Sequence, residues 1–317
     1  MKKFIITIFL IFISPLASFA QSEINIAFTI DNNYAPFTMI AINSILKKNI
    51  SNSHYNFYIF TDNLSFINKF LLKTYVKWKK QNIEIITCST DIIDNGKSLQ
   101  EGILGKEEIY ISRIGTARIL IPELLPNVEK ILYLDPDILV LSDLKELYVS
   151  DLQDKSMGMV SDVLFFDPLT YDPNKYSYVN SGVILIDAEK WRQKKITEKM
   201  VKYAQEHPQL EFIDQNIFND ILTDDIKMLD LVWNNQWLID RDKILTSANK
   251  KGIWHYSYRV KPWNFLPHDS VRKQRYLQNW SSSILALYQA YYLPQSIISI
   301  YKGFIKDENE YLKNKEK

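Results

Sequence analysis

Two aspartates, Asp135 and Asp137, stand one residue apart in an otherwise apolar stretch from residue 131 to residue 141. In extended backbone, residues two positions apart point the same way, so both carboxylates could close on a single cation. Two like charges this close need such a partner, because one of them would otherwise be driven to take up a proton. A hard divalent metal ion is the natural partner for carboxylate oxygens. The alternative is a solvated Asp-Pro-Asp turn that binds nothing.

The stretch around this acidic pair predicts the element that positions it. Its Ile, Leu and Val residues are typical of a strand buried on both faces of a sheet. Pro136 has no backbone N–H to donate to a neighbouring strand, so the strand is predicted to end there. The acidic pair is therefore expected at the end of a central strand.

The first part of the chain alternates between strand and helix patterns. Strands are predicted at 24–30, 56–60 and 83–87, a helix is predicted to begin near Pro36, and a second helix is predicted at 64–80. This alternation predicts parallel β-α-β units with right-handed crossovers. Ligands of such sheets bind beyond the carboxyl ends of the strands, so Asp31, Asn33 and the acidic pair are expected to converge on one crevice.

The later segments continue the mixed α/β pattern without an internal repeat, a low-complexity tract or a clear interdomain linker. One domain spanning residues 21–268 is therefore expected. Its further elements are predicted as a loop at 91–108, a helix at 111–120, a strand at 157–162, a loop at 166–177, a strand at 178–187, a helix at 188–206, a helix opening at 212–216 with Asp214 as its cap, and strands at 226–231 and 252–256.

Both ends of the chain differ from this domain. Residues 1–20 combine a basic start, an apolar run and small residues before Gln21, which predicts a signal peptide and an exported or secretory-pathway protein. An uncleaved anchor, with the enzyme at the cytoplasmic face of a membrane, is the alternative. Residues 269–317 predict a helical tail. This tail could pack on the domain as a hairpin or lie in a membrane surface as an amphipathic segment.

The composition limits the possible partners. The chain has 317 residues, 46% of them hydrophobic and 24% charged, as in a soluble globular protein. A formal net charge of +1 provides no overall field that would favour nucleic acid. Cys88 is the single cysteine, which excludes an intrachain disulfide and a thiolate metal cluster.

The acidic pair and two residues near the end of the domain suit the chemistry of a nucleoside diphosphate leaving group. A divalent cation acts as a Lewis acid while charge builds on the bridging oxygen. Asp135 and Asp137 would supply hard oxygen ligands and His255 a neutral imidazole, a set that favours Mn²⁺ over Mg²⁺. Lys261, six residues after His255, could reach the same phosphates as a point charge.

Several segments in order resemble the retaining glycosyltransferases of family 8, the group that includes bacterial lipopolysaccharide galactosyl- and glucosyltransferases and glycogenin. The resemblance covers roughly residues 24 to 265, nearly the whole domain. Its motifs are residues 28–36 (FTIDNNYAP), 116–118 (TAR), 133–137 (YLDPD), 180–183 (NSGV), 214–216 (DQN) and 255–263 (HYSYRVKPW). The resemblance implies a GT-A fold, which is a Rossmann-like α/β fold of nucleotide-diphospho-sugar transferases, followed here by the helical tail. It also implies a place in lipopolysaccharide or related glycan biosynthesis.

The resemblance also implies a role for each matching residue. Asp135, Asp137 and His255 would bind manganese, and Lys261 the diphosphate. The nucleotide sugar would contact Thr29, Asp31, Asn33, Tyr34, Arg118, Asn180 and Ser181. Asp214 and Gln215 would line the donor sugar as the catalytic candidates, and Asp162 would face the acceptor.

Each of these residues has a structural alternative. Asp31 and Asn33 could be turn formers, Asp214 a helix cap, and Arg118 an ordinary surface residue. His255 alone could be a structural histidine. Two positions also depart from the family pattern. Tyr258 replaces a glycine that lets backbone approach the phosphates, which puts closure over the donor in question. Ser181 replaces an alanine.

The sequence therefore predicts a retaining hexosyltransferase that moves glucose or galactose from a UDP-sugar to a saccharide or lipid-linked glycan acceptor. Gln215 is a poor nucleophile, which favours front-face transfer over a covalent intermediate. A haloacid dehalogenase-type phosphatase is one alternative, but that fold usually places its acidic pair after its first strand. A catalytically silent glycan-binding relative, suggested by Tyr258, is the other.

Overall fold

A computed structural model describes residues 22–94, 113–162, 172, 175, 178–207, 213–236, 251–257, 261–263 and 276–280. The predicted leader at 1–20, Tyr258, most of the predicted loops at 91–108 and 166–177, and the predicted tail apart from 276–280 lie outside the described residues. The expectations for these segments stay predictions. Among the described helices, none has the length and apolarity needed to cross a membrane.

The described elements alternate between strands and helices. The strands are β1 (Glu23–Thr29), β2 (His54–Thr61), β3 (Asn82–Thr87), β4 (Lys130–Leu134), β5 (Ile138–Val140), β6 (Met157–Ser161), β7 (Val179–Asp187), β8 (Ile226–Met228), β9 (Asn235–Gln236) and β10 (Ile253–His255). The α-helices are α1 (Ala35–Lys47), α2 (Phe66–Trp78), α3 (Asp91–Asp94), α4 (Ile121–Leu124), α5 (Lys145–Tyr148), α6 (Ala188–Gln193), α7 (Ile196–Glu206) and α8 (Ile213–Ile221). Short 3-10 helices span Arg113–Leu120, Thr223–Asp225, Leu231–Asn234 and Gln278–Trp280.

Seven strands form the central sheet in the order β3-β2-β1-β4-β7-β6-β8. The neighbours from β3 to β4 pair in parallel, as the β-α-β pattern predicted. β7 departs from that prediction because it runs antiparallel to both β4 and β6. The amino end of β7 therefore lies beside the carboxyl ends of β4 and β6, and Val183 pairs with Leu134.

The expectation that extended strand backbone points Asp135 and Asp137 the same way is wrong. β4 ends at Leu134 in the central sheet, and β5 begins at Ile138 in a separate three-stranded sheet with the order β5-β10-β9. Pro136 ends the first strand as predicted, since it offers no N–H for pairing. The two aspartates lie in the bend between the strands, so extended-chain geometry is not what brings them together.

Three other predicted elements differ in detail. The segment predicted as a helix at 111–120 is a 3-10 helix from Arg113. The helix predicted at 188–206 is divided into α6 and α7 by Lys195, whose φ of 51° is left-handed and interrupts the α-helical path. The strand predicted at 226–231 ends at Met228.

The sheet is buried on both faces. On one face, Ile24, Ile26 and Phe28 of β1 pack in the same core cluster as residues of α1 and α2. On the other face, Ala27 packs in a second cluster with residues of α6, α7 and α8. The alternation along β1 follows from the two-residue period of a strand. With both faces covered, the carboxyl edge of β1 and β4 is the place where a ligand can reach the sheet.

Candidate active site

The three predicted metal ligands meet where β4, β5 and β10 come together. Asp135 follows β4, Asp137 precedes β5, and His255 ends β10, paired with Ile138 across the small sheet. His255 Nε2 lies 3.6 Å from Asp135 Oδ2 and 3.3 Å from Asp137 Oδ1. One ligand atom from each residue lies within 4.8 Å of the others. The bend at Pro136 thus directs the carboxylates of Asp135 and Asp137 toward His255.

This donor set fits a divalent cation. His255 is buried, and its Nδ1 lies 2.8 Å from Asn234 Oδ1. An amide oxygen only accepts hydrogen bonds, so Nδ1 carries the proton and the Nε2 lone pair faces the two carboxylates. Two carboxylate oxygens and one neutral imidazole are ligands that Mn²⁺ accepts, and Mg²⁺ less readily.

Asn234 is a site residue that the sequence prediction missed. Its amide oxygen accepts from His255, and its Nδ2 donates to Asn180 Oδ1 over 2.9 Å. The sequence prediction began a loop at Trp233 in this region. Nothing local in the sequence indicates that Asn234 bonds to a residue 21 positions away.

Gly182 is a second residue that was given no role, although it lies within the NSGV motif. A Cβ at this position would lie 2.1 Å from His255 Cε1 and 2.9 Å from Asp135 Oδ2. Gly182 O also accepts the backbone N–H of Asp135 over 2.8 Å. Only glycine leaves room for the histidine and the carboxylate to meet over β7.

Two cations neutralise the carboxylates from outside the triad. Lys261 Nζ lies 2.5 Å from Asp137 Oδ2 and donates to Tyr256 O over 2.6 Å. Arg118 Nη1 lies 3.2 Å from Asp135 Oδ1. Burial would raise the pKa of Asp137, but the positive charge of Lys261 and the contact with His255 outweigh it and hold that pKa well below its usual range. Asp137 is therefore an anion, as a metal ligand must be.

Arg118 is the centre of a buried network and not a surface residue. Its Nε lies 2.9 Å from Asp214 Oδ2, its Nη1 donates to Ser181 O over 2.7 Å, and its guanidinium lies 4.7 Å from the centre of the Tyr133 ring. Burial would lower the pKa of Arg118, but Asp135 and Asp214 raise it above its ordinary value. The guanidinium therefore stays charged and fixes the end of β4 against β7.

Asp214 does not cap its helix, contrary to the prediction. α8 begins at Ile213, so Asp214 lies inside the first turn. Its Oδ2 accepts from Ser181 Oγ over 2.9 Å in addition to pairing with Arg118. The carboxylate and the guanidinium are both buried, and each provides the opposite charge that stabilises the other.

The polar residues predicted to face the sugar and acceptor form one hydrogen-bonded group. Asn180 Nδ2 donates to Gln215 Oε1 and to Asp162 Oδ2, each over 3.1 Å. Gln215 Nε2 also donates to Asp162 Oδ2 over 3.2 Å. A register shift between Met159 and Val160, where β6 passes β7, displaces the β7 backbone at this point. The structure thus brings Asp162, Asn180, Ser181 and Gln215 together, while their roles toward ligands stay predictions.

The residues predicted to hold the nucleotide follow β1 at the same sheet edge. Asp31 Oδ1 accepts from the backbone N–H groups of Asn33 and Tyr34 over 2.8 and 3.0 Å, which forms the turn that starts α1. The side chain of Asn33 is exposed. Thr29 Oγ1 lies 2.9 Å from Tyr133 Oη, which donates to Asp135 Oδ1 over 2.6 Å. Thr29 therefore connects this region to the acidic pair.

An aromatic contact holds the segment that carries Lys261. The Trp263 ring stacks on Phe37 of α1 at 3.6 Å between ring centres, and Tyr34 meets its edge at 6.1 Å. The short described segment 261–263 is thereby fixed on α1. This contact keeps Lys261 within reach of Asp137.

Comparisons with known proteins agree with this architecture. The sequence model of Glycosyl transferase family 8 matches residues 25–266. General stress protein A of Bacillus subtilis is 32% identical over 178 residues, which are 50% of this chain and 62% of that protein. The lipopolysaccharide 1,2-glucosyltransferase of Escherichia coli is 27% identical over 270 residues, which are 78% of this chain and 75% of that protein.

Among solved structures, the galactosyltransferase LgtC in complex with donor and acceptor sugar analogs is similar with a TM-score of 0.65. The identity is 21%, and the match covers 81% of this chain and 95% of that chain. The likeness supports a single GT-A domain around the seven-stranded sheet.

Proposed function

The chain belongs to glycosyl transferase family 8 and is a glycosyltransferase, and from this premise we propose that it moves a glucose or galactose unit from a UDP-sugar to a saccharide or lipid-linked glycan, with retention of anomeric configuration. The observation that carries the proposal is the convergence of Asp135, Asp137 and His255, with Lys261 beside them, at the open edge of the sheet. Family membership also removes the phosphatase alternative.

Asp135, Asp137 and His255 would hold Mn²⁺, which when bound supplies Lewis-acid stabilisation of the departing diphosphate. Lys261 adds a second positive charge at the same edge. Its ammonium is a compact point charge on a flexible stem, so it can serve Asp137 and an incoming phosphate from one position.

The surroundings of Asp214 support front-face transfer. An attacking carboxylate needs a free oxygen lone pair with little competing positive charge. Asp214 Oδ2 instead accepts from Ser181 Oγ and pairs with Arg118. Gln215, the other catalytic candidate, has an amide that is a weak nucleophile and lies in a hydrogen-bonded group with Asn180 and Asp162. Both residues are therefore better suited to orient the donor sugar than to form a covalent intermediate.

The test is UDP release from a panel of UDP-hexoses, with and without Mn²⁺, on the chain expressed without its predicted leader. Manganese-dependent release from one donor is the expected result, and it would identify the hexose. An Asp137→Asn variant should lose that release. A folded protein that releases UDP from none of the donors, yet binds glycans, would contradict the proposal and support a binding role instead.

A further inference from the structure

The outer face of α2 combines exposed aromatic rings with lysines and lies outside the site described above. Phe66 is 81% exposed, Phe70 57% and Trp78 55%. Helical spacing puts Phe66, Phe70, Lys73 and Lys77 on one stripe. A depression of about 360 Å³ lies along this stripe. We call this surface the α2 face and define it as Phe66, Lys69, Phe70, Lys73, Lys77 and Trp78.

The α2 face is strongly positive in a nearly neutral protein. Residues 61–81 contain five lysines and a single acid, Asp62, whereas the whole chain has a net charge of +1. In the part of the chain that the structure describes, Lys69, Lys73 and Lys77 have no carboxylate within ion-pair distance. Lysines around exposed aromatic rings match a partner that is both anionic and apolar.

We propose that the α2 face binds the surface of a bilayer that contains anionic phospholipids. The phenylalanines would enter the boundary between headgroups and acyl chains, and the lysines would contact the phosphates. This proposal concerns a surface that contains none of the residues of the metal triad, and it does not depend on which sugar the enzyme transfers.

Two other occupants fit the α2 face less well. A second copy of the chain, joined about a two-fold axis, would bring the lysines against their own equivalents. A single-stranded nucleic acid would need open ring faces for base stacking. The Phe66 and Phe70 rings instead lie nearly parallel to each other at 6.4 Å, and Lys79 covers the Trp78 ring at 4.4 Å.

The position of α2 relates this surface to the active site. Asn32, just beyond β1, accepts from the backbone N–H of Ser65 over 2.7 Å and from Asn68 Nδ2 over 2.9 Å. These bonds fix the first turn of α2, with Phe66, at the sheet edge where the site opens. A membrane bound through Phe66 would therefore lie beside the mouth of the site. A lipid-linked acceptor would be presented from that side.

Flotation with vesicles tests the proposal on the full chain, without donor or metal. The probes are phosphatidylcholine vesicles with about a third phosphatidylglycerol, compared with pure phosphatidylcholine. Wild-type protein should float with the anionic vesicles and less so as salt rises. Phe66→Ser with Phe70→Ser should lower the partition coefficient about tenfold or more, and Lys73→Glu with Lys77→Glu by a similar or larger factor.

The chain offers matched controls. Ile50→Ser removes an equally exposed apolar side chain at the other end of α1, since Ile50 is 84% exposed. Lys199→Glu with Lys202→Glu makes the same charge change on α7, on the opposite face of the sheet. Both controls should float like wild type, and all variants should keep wild-type UDP release in the absence of vesicles. Control variants that lose binding as much as the α2 variants would overturn the proposal.

A second measurement keeps the test decisive if another segment also binds vesicles. In a Cys88→Ser background, Phe70→Cys would carry an environment-sensitive dye, with Lys199→Cys as the control position. Anionic vesicles should shift the dye emission to the blue at position 70, and lipid-borne quenchers should reach it there but not at position 199. No shift at position 70, or a response to an oligonucleotide in place of vesicles, would contradict binding to a bilayer.

Discussion

The metal-side cluster (Asp135, Asp137, His255, Asn234 and Gly182) and the turn after β1 lie at one edge of the sheet but are held in different ways. His255 bonds to a residue 21 positions away, and Lys261 reaches Asp137 across 124 positions. In the turn, Asp31 bonds to backbone only two and three residues ahead.

This difference determines how many neighbouring residues a single substitution disturbs. In the cluster, the residues are buried or half-buried and are positioned by partners from other strands, so moving one disturbs the rest. The turn is closed by bonds from Asp31 to its near neighbours in sequence, so it can re-form after a conservative substitution of Asp31. We therefore expect the effects of mutation to fall steeply from the cluster to the turn.

The largest effect is expected for Asp137→Asn. The change removes one anionic oxygen ligand and leaves Lys261 facing a neutral amide, so Mn²⁺ binding should weaken and UDP release should fall more than about a hundredfold. A manganese titration followed by electron paramagnetic resonance measures the affinity. Asp154→Asn, at an exposed carboxylate remote from the site, should leave both values unchanged. Full activity in Asp137→Asn would exclude this residue as a ligand.

The second-largest effect is expected for Gly182→Ala. The new Cβ would overlap His255, so the imidazole must move, and Mn²⁺ affinity should fall by roughly 10- to 100-fold. Overpacking should also cost about 1–3 kcal/mol of unfolding free energy. Gly158→Ala is the matched control, because its Cβ meets only the ends of Leu152 and Leu229 side chains. It should lower stability without changing metal affinity, and equal metal affinities in the two variants would remove the role assigned to Gly182.

Asn234→Ala should have an intermediate effect. It takes away the acceptor that orients His255 Nδ1–H, so the ring can rotate, and metal affinity should fall about tenfold. Isothermal titration with Mn²⁺ measures this loss. A thermal melt in the absence of metal shows how much of it comes from reduced stability. If affinity is unchanged, the hydrogen bond to Asn234 is not what orients the imidazole.

Asp31→Asn should have the smallest effect. Asparagine keeps an oxygen that can accept from the backbone N–H groups of Asn33 and Tyr34, so the turn and the start of α1 should survive. We expect an unchanged melting temperature and a KM for the UDP-sugar raised by less than about tenfold. A fall in activity as large as that of Asp137→Asn would break the contrast between the two regions.

The sequence predicted the locally determined features well. The strands from β1 to β4, Pro36 at the start of α1 and the Asp31 turn follow from patterns within a few residues. The end of β4 at Pro136 also follows from such a pattern. The prediction failed where pairing between distant strands decides the structure, as in the antiparallel β7, and it did not include the separate sheet in which β5 pairs with β10.

The candidate site likewise contains features that local sequence predicts and features that depend on distant contacts. The acidic pair stood out in the sequence, although the bend at Pro136 and not an extended strand makes the two carboxylates converge. His255 was proposed as a ligand because the segment 255–263 resembles a motif of the family, whereas the pattern of its neighbours alone predicts only a short strand. The burial of Arg118 between Asp135 and Asp214, and the roles of Asn234 and Gly182, depend on contacts that no local pattern encodes.

The pairing of β10 with β5 has a consequence for how the protein is made. A ribosome releases a chain from its amino end, and the sheet from β1 to β8 uses residues up to Met228. His255 emerges later and can reach Asp135 and Asp137 only after β10 has docked on β5. A nascent chain that ends before His255 therefore carries two of the three residues of the proposed metal site and a nearly complete sheet. Metal binding at the proposed site would therefore require that β10 has docked on β5, and a chain truncated before His255 would lack the third ligand.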